Sequence, residues 1–143
     1  MVIRARHYGI VVKNIKNSLQ LYRGILGFKV WRRQNEKGKY IENVVGLKGA
    51  VLEWIKLKDK KGFLIELIQY KFPMSKSKKF FLVNCPGTAH IALTVKDLET
   101  LYNKLTKKGY KCNSMPQLSP DGKAKVLYFR DKDGAVLELV EEL

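Results

Sequence analysis

The sequence predicts an α+β protein built from two tandem modules, each with a strand, a helix and three further strands. The main observation is an internal repeat, in which residues 7–15 (HYGIVVKNI) match residues 90–98 (HIALTVKDL). A second match aligns residues 61–68 (KGFLIELI) with residues 133–140 (DGAVLELV). Because a module of this size would not bury its sheet alone, we expect one domain over all 143 residues.

The first module is predicted to begin with a strand over residues 5–13, followed by a helix over residues 16–26. The glycine at position 27 directly follows the helical stretch, where glycine commonly ends a helix. The three further strands are predicted near residues 28–34, 50–58 and 63–70. The remaining segments, 35–49 and 71–88, are predicted loops, and FPMSKSKK in the second is the predicted connection between modules.

The second module repeats this order, with a strand over residues 89–96 and a helix over residues 97–108. Its three further strands are predicted near residues 110–115, 123–130 and 134–141, with a loop over 116–122. A glycine turn before the last strand is a hairpin signal. We therefore expect module 1 at about 1–72, a linker at about 73–88 and module 2 at about 89–143.

Composition predicts a soluble globular protein of the cytoplasm. Hydrophobic residues are 45% and charged residues 29% of the chain. No apolar run approaches the roughly 18 residues of a membrane span, so no membrane partner is expected. The N-terminal residues lack the apolar core of a signal peptide. The two cysteines, Cys85 and Cys112, form no metal or disulfide motif and are interpreted as reduced thiols.

The net charge of +15 indicates a basic surface, which can attract nucleic acid, anionic lipid or an anionic small molecule. No nucleic-acid motif accompanies it, and basic and aromatic residues do not alternate as in strand-stacking proteins. A solvated lysine surface is therefore the main interpretation. The hypothesis of nucleic-acid binding rests on the net charge alone. An anionic small-molecule substrate would also be attracted by the positive electrostatic field of such a surface.

Each module contributes one histidine on its first strand and one glutamate on its last: His7, Glu66, His90 and Glu138. A carboxylate among apolar neighbours is costly to bury unless a partner neutralises it. Two imidazoles and two carboxylates suit a divalent cation such as Fe, Ni, Co, Mn or Zn. His7 and His90 are also the only histidines of the chain. The repeat therefore predicts a metal site formed by the four side chains.

These residues lie in motifs that resemble the vicinal oxygen chelate superfamily of glyoxalase I, methylmalonyl-CoA epimerase, extradiol dioxygenases and fosfomycin- or bleomycin-resistance proteins. The stretches that carry the resemblance span nearly the whole chain and include HYGIVVKNIKNSLQLYRGILGFKV, GFLIELIQY, TAHIALTVKDLETLYNKLTKKGY and VLYFRDKDGAVLELVE. The resemblance implies two tandem βαβββ modules that form curled mixed sheets around a metal cleft. It also implies a homodimer, with the metal site either within one chain or between two.

The ligand order His, Glu, His, Glu resembles that of glyoxalase I-type enzymes. This resemblance implies a metal-dependent lyase or isomerase that abstracts a proton from a small carbonyl or thioester substrate, with a metal-stabilised enediolate. Glu138 would be the general base, with Glu66 as its partner. The candidate substrate contacts are Tyr70, Tyr128 and Arg130.

Two positions depart from the glyoxalase I pattern. Val11 stands where an arginine is usual, and Tyr70 stands where an asparagine is usual, which argues against glutathione as co-substrate. Three alternatives within the same fold stay open: a methylmalonyl-CoA epimerase-like enzyme, an Fe(II) extradiol-type dioxygenase, and a non-catalytic small-molecule-binding protein.

Overall fold

The computed structural model describes residues 1–77 and 81–143 and confirms the α+β class with two mixed sheets. The chain divides into two compact units, Met1–Lys78 and Lys79–Leu143, and each unit contains one copy of the repeat. The organisation of both copies as a single domain stays a prediction. No described helix combines the length and the apolarity that a membrane crossing requires.

The first unit contains a four-stranded sheet and two helices. In chain order the elements are β1 (Tyr8–Val11), α1 (Ile15–Tyr22), β2 (Lys29–Lys37), α2 (Lys39–Val45), β3 (Val51–Lys58) and β4 (Leu64–Phe72). The strand order is β1-β4-β3-β2. Strand β1 runs parallel to β4, and the other neighbours are antiparallel.

The second unit repeats this topology with one helix. Its elements are β5 (His90–Thr94), α3 (Leu98–Lys107), β6 (Lys111–Cys112), β7 (Gln117–Leu118), β8 (Ala124–Arg130) and β9 (Val136–Glu142). The strand order is β5-β9-β8-β6, and β7 pairs with β8 beside this path. Strand β5 is parallel to β9, as β1 is to β4.

Two elements lie in segments that the sequence predicts as loops. Helix α2 falls within 35–49, where it begins after Gly38 without a side-chain cap and buries only Ile41. Strand β7 falls within 116–122 and is two residues long. The strand predicted over 5–13 begins only at Tyr8, and Phe72 of the predicted connection belongs to β4. Positions 78 and 79 of that connection lie outside the described residues.

Strand alternation separates the apolar and polar faces of the last strand in each unit. Ile65 and Leu67 are fully buried, and Glu66 between them points to the opposite face. Leu137 and Leu139 are likewise buried on either side of Glu138. Helix α1 packs against β3 and β4, and α3 packs against β9 and β6. The leucine and isoleucine side chains therefore form the core, and the glutamates remain on the other face.

The last strand of each unit is also tied to the beginning of that unit's helix. Gln69 Oε1 accepts a hydrogen bond of 3.0 Å from the backbone N–H of Ile15. In the second unit, the Glu141 carboxylate accepts bonds of 2.7 and 3.1 Å from the N–H groups of Asp97 and Leu98. Both side chains lie three residues after the candidate glutamate and satisfy N–H groups that a helix leaves free.

We expect Glu141→Ala to lower the free energy of unfolding by about 1 kcal/mol, because two helix N–H groups lose their acceptor. Urea unfolding followed by circular dichroism measures the change. Glu142→Ala is the matched control, since Glu142 is an exposed carboxylate on the same strand. Equal losses in both variants would mean that the hydrogen bonds to α3 do not stabilise the unit.

Candidate functional site

In the first unit, His7 and Glu66 are brought into direct contact. His7 lies just before β1, and Gly9, two residues later on the same face, pairs with Glu66 in the parallel register. His7 Nε2 lies 2.8 Å from Glu66 Oε2. A Cβ at Gly9 would lie 3.7 Å from Ile68 Cδ1, an ordinary van der Waals contact, so this part of β1 is not crowded.

In the second unit, His90 and Glu138 form the same arrangement. Ala92 pairs with Glu138 in the parallel register, and His90 lies two residues earlier. His90 Nε2 lies 3.0 Å from Glu138 Oε2. Within each unit, the described residues contain no group of three or more His, Cys, Asp or Glu side chains placed to hold a metal. The repeat thus produces two His–Glu pairs, and the four-ligand site stays a prediction.

The two pairs differ in the side chain that faces the glutamate from the antiparallel neighbour strand. Lys56 of β3 is in register with Glu66, and its Nζ lies 3.4 Å from Glu66 Oε1. Tyr128 of β8 is in register with Glu138 and donates a 2.9 Å hydrogen bond to its Oε2. An ammonium ion therefore neutralises the first carboxylate, whereas a neutral hydroxyl solvates the second.

Tyr128 is a contact of both members of the second pair. Its hydroxyl oxygen lies 3.2 Å from His90 Nε2, and the two rings have centroids 5.1 Å apart. Desolvation raises the pKa of the Tyr128 hydroxyl, and the hydrogen bond to Glu138 raises it further. The hydroxyl accordingly stays protonated at neutral pH and remains a hydrogen-bond donor.

The other ring nitrogen of His7 lacks a partner. Nδ1 is buried and makes no hydrogen bond with any described residue. A buried polar atom left without a partner costs about 1–3 kcal/mol. Histidines that bind metals usually hydrogen-bond through their second nitrogen. Among the described residues, His7 therefore lacks the hydrogen bond that usually orients a metal-binding imidazole.

The donor atoms of both pairs fit a first-row divalent ion. Two ligands bound at about 2.1 Å and at a right angle lie about 3.0 Å apart. The nitrogen–oxygen separations of 2.8 and 3.0 Å match such a pair of adjacent positions. Imidazole nitrogen and carboxylate oxygen are also suitable ligand types. Each pair can therefore supply two neighbouring ligands, although Lys56 shares one of the carboxylates.

The remaining predicted site residues have other contacts. Tyr70 lies on the face of β4 that carries Glu66 and packs against a cluster formed by Ile41, Ala50 and Leu52. The Arg130 guanidinium donates to the carbonyls of Gly134 and Phe81 at 2.8 and 2.6 Å. Substrate contacts by Tyr70, Tyr128 and Arg130 stay predictions.

Sequence reasoning missed Lys56 and its neighbour Trp54. Lys56 Nζ lies 4.6 Å from the centroid of the Trp54 ring, and the Arg32 guanidinium lies 5.7 Å from it. The indole N–H donates to Glu36 at 3.3 Å, which holds the ring in place. The available signal was the alternation in β3, where Ile55 and Leu57 are buried and Lys56 must face the other way.

An open pocket of about 520 Å³ adjoins the second pair. Its lining includes His90 and Tyr128, three valines and several uncharged polar side chains: Val83, Val126, Val136, Thr88, Asn113, Ser114 and Gln117. Apolar walls with a few hydrogen-bonding groups are typical of small-molecule sites. His90 and its neighbour Tyr128 are therefore accessible to a small ligand in this pocket.

A family model described as "Glyoxalase/Bleomycin resistance protein/Dioxygenase superfamily" matches residues 4–139. Among solved structures, a glyoxalase family protein from Bacillus cereus is 24% identical with a TM-score of 0.89, over 100% of this chain and 96% of that chain. A glyoxylase/bleomycin resistance protein/dioxygenase domain from Frankia sp. EAN1pec is 21% identical with a TM-score of 0.71, over 100% of both chains.

A third similar structure is the fosfomycin resistance protein FosX from Listeria monocytogenes, complexed with Mn(II) and sulfate. It is 12% identical with a TM-score of 0.63, over 100% of this chain and 95% of that chain. Identities this low establish a shared fold alone. The comparison with curated proteins gave no match.

We expect Lys56 and Glu66 to be energetically coupled, because both side chains are mostly buried, at 15% and 12% exposure. A double-mutant cycle with Lys56→Met and Glu66→Gln should give a coupling free energy of about 1 kcal/mol in urea unfolding. The exposed pair Lys125 and Glu99 is the control and should give a smaller value. A coupling of zero for Lys56 and Glu66 would show that the ammonium does not stabilise the carboxylate.

Proposed function

Because the chain belongs to the glyoxalase/bleomycin resistance protein/dioxygenase superfamily, we propose that it is a metal-dependent lyase or isomerase of the glyoxalase I type. The observation that supports this most is the recurrence of one His–Glu contact, at 2.8 Å in the first unit and 3.0 Å in the second. The Mn(II) complex of FosX supports metal binding by a protein of this fold.

One divalent ion would be held by four side chains: His7, Glu66, His90 and Glu138. These ligands would come from a single chain or from the two chains of a homodimer. Nickel, cobalt, zinc, manganese and iron all accept such nitrogen and oxygen ligands. When bound, the ion supplies Lewis-acid chemistry, because it withdraws charge from a substrate oxygen. The two carboxylates offset its charge and explain why each last strand carries a glutamate among apolar residues.

Glu138 would be the general base that removes a proton from the carbon beside a substrate carbonyl. Its Oε2 contacts both His90 and Tyr128. The other carboxylate oxygen, Oε1, would accept the proton. Tyr128 would hold the carboxylate in one orientation through its hydroxyl. Glu66, with Lys56 beside it, would be the partner carboxylate.

The substrate would be a small oxygenated carbonyl or thioester compound that enters the pocket beside His90. The three valines suit an apolar part of this molecule, and Asn113 and Gln117 suit its polar groups. The net charge of +15 would raise the local concentration of an anionic substrate. Val11 is 61% exposed and offers no cation for glutathione.

We expect the protein, purified without chelators or an affinity tag, to contain about one first-row metal ion per chain, as the ligand set requires. Elemental analysis should show that His7→Ala/His90→Ala loses this metal. Glu53→Gln is the control, because Glu53 pairs with Arg33 and Lys71 outside the site. A wild-type protein that stays metal-free after reloading would favour the non-catalytic binding protein instead.

We expect the enzyme to exchange the hydrogen beside the carbonyl of its substrate for solvent deuterium. Proton NMR of a panel of α-hydroxycarbonyl compounds and thioesters in D₂O detects this exchange. Glu138→Gln should slow it by about 100-fold or more, since a general base typically contributes that much.

Glu141→Gln is the control for this exchange. Glu141 lies on the same strand as Glu138, but its carboxylate binds the beginning of α3 and does not contact the His90–Glu138 pair. Undiminished exchange in folded Glu138→Gln would remove Glu138 from the mechanism.

A further inference from the structure

The side chain that faces each glutamate across the sheet makes the two His–Glu pairs unequal. Lys56 and Tyr128 occupy equivalent places, since each is in register with the glutamate on the antiparallel neighbour strand. The first brings a positive charge to within 3.4 Å of Glu66 Oε1. The second brings only a hydroxyl to Glu138 Oε2.

Lys56 is held in this position and is not a freely moving surface lysine. Only 15% of its side chain is exposed. Its ammonium group lies 4.6 Å from the Trp54 ring centroid, where the ring face attracts a cation. The Trp54 indole N–H is fixed in turn by Glu36. The ammonium therefore has two favourable contacts, one with the carboxylate and one with the ring.

A divalent ion at Glu66 would have to share the carboxylate with this ammonium. The two cations would lie within a few ångströms of each other, in a mostly buried place where water screens their repulsion incompletely. An ion at Glu138 meets no such charge, because Tyr128 is neutral. The same ligand types thus differ in their affinity for a cation through a single opposing residue.

We propose that Lys56 is a built-in competitor for the divalent cation at Glu66 and thereby sets the metal affinity of the centre. Of the two glutamates, Glu66 would therefore bind a divalent ion less tightly than Glu138, which faces the uncharged Tyr128. Without an ion, the Lys56 ammonium is the cation that pairs with the Glu66 carboxylate, at 3.4 Å. This inference rests on the proposed metal-dependent function and adds to it a residue that does not bind the metal itself.

Isothermal titration calorimetry of the metal-free full chain with MnCl₂ measures the Kd for Mn(II) and tests this proposal. Lys56→Met, and Lys56→Tyr, which copies the second unit, should lower the Kd for Mn(II) by about tenfold or more, because one opposing charge is gone. Lys56→Arg keeps the charge and should bind like the wild type, within about threefold.

Lys71→Met is the control for overall charge, since it removes one lysine paired with Glu53 from the same unit. It should also leave the Kd within about threefold of the wild type, as expected for an exposed charge in salt. Thermal unfolding followed by circular dichroism verifies that each variant is folded. If Lys56→Met does not fold, Lys56→Tyr alone decides the outcome.

Two results would overturn the proposal while the metal-dependent function stands. In the first, the wild type binds Mn(II), the binding is lost in His7→Ala/His90→Ala, and Lys56→Met and Lys56→Tyr bind no more tightly than the wild type. In the second, Lys71→Met tightens binding as much as Lys56→Met, so that net charge alone is responsible. No Mn(II) binding by the wild type or any Lys56 variant would overturn both the proposal and the metal-dependent function.

Discussion

A carboxylate in the middle of an apolar strand is the constraint on which each unit depends. Glu66 and Glu138 each lie between residues that are fully buried, so the strand can be accommodated in one register only. A shift by one residue would drive the carboxylate into the core beneath the helix and expose the leucines. The partners that neutralise the glutamate therefore stabilise the position of the whole last strand, and through it the attachment of the helix.

The repeat preserves this geometry while the chemistry around it diverges. The helix of the first unit is tied to its sheet by the amide of Gln69, and that of the second by the carboxylate of Glu141. Lys56 and Tyr128 differ in the same way across the sheet from the glutamates. The backbone positions are equivalent, but one pair carries an extra positive charge, and this separates the roles that two identical His–Glu contacts can have.

The sequence was sufficient to predict the α+β class and the equivalent places of His7 with His90 and of Glu66 with Glu138, because the repeat sets the same residue types at the same points. It did not predict that each histidine contacts the glutamate of its own unit. Helix α2 could not be predicted, since its start has no cap and only Ile41 is buried. In the alternating pattern of β3, Lys56 occupies a position that is typical of an ordinary solvent-facing lysine. Its contact with Glu66 depends on the register between β3 and β4, which local patterns do not determine. The hydrogen bond from Arg130 to the Phe81 carbonyl joins residues 49 positions apart, so local sequence patterns do not predict it either.

The ammonium above Trp54 also gives the chain an optical signal of its own. The only other tryptophan, Trp31, is 54% exposed, whereas Trp54 is half-buried and in contact with Lys56. A water-soluble quencher would therefore suppress the emission of Trp31 first and leave a component that belongs mainly to Trp54. Movement of the lysine away from the indole would change the field across the ring and shift this component. The fluorescence spectrum can thus report the position of one ammonium group without any added label.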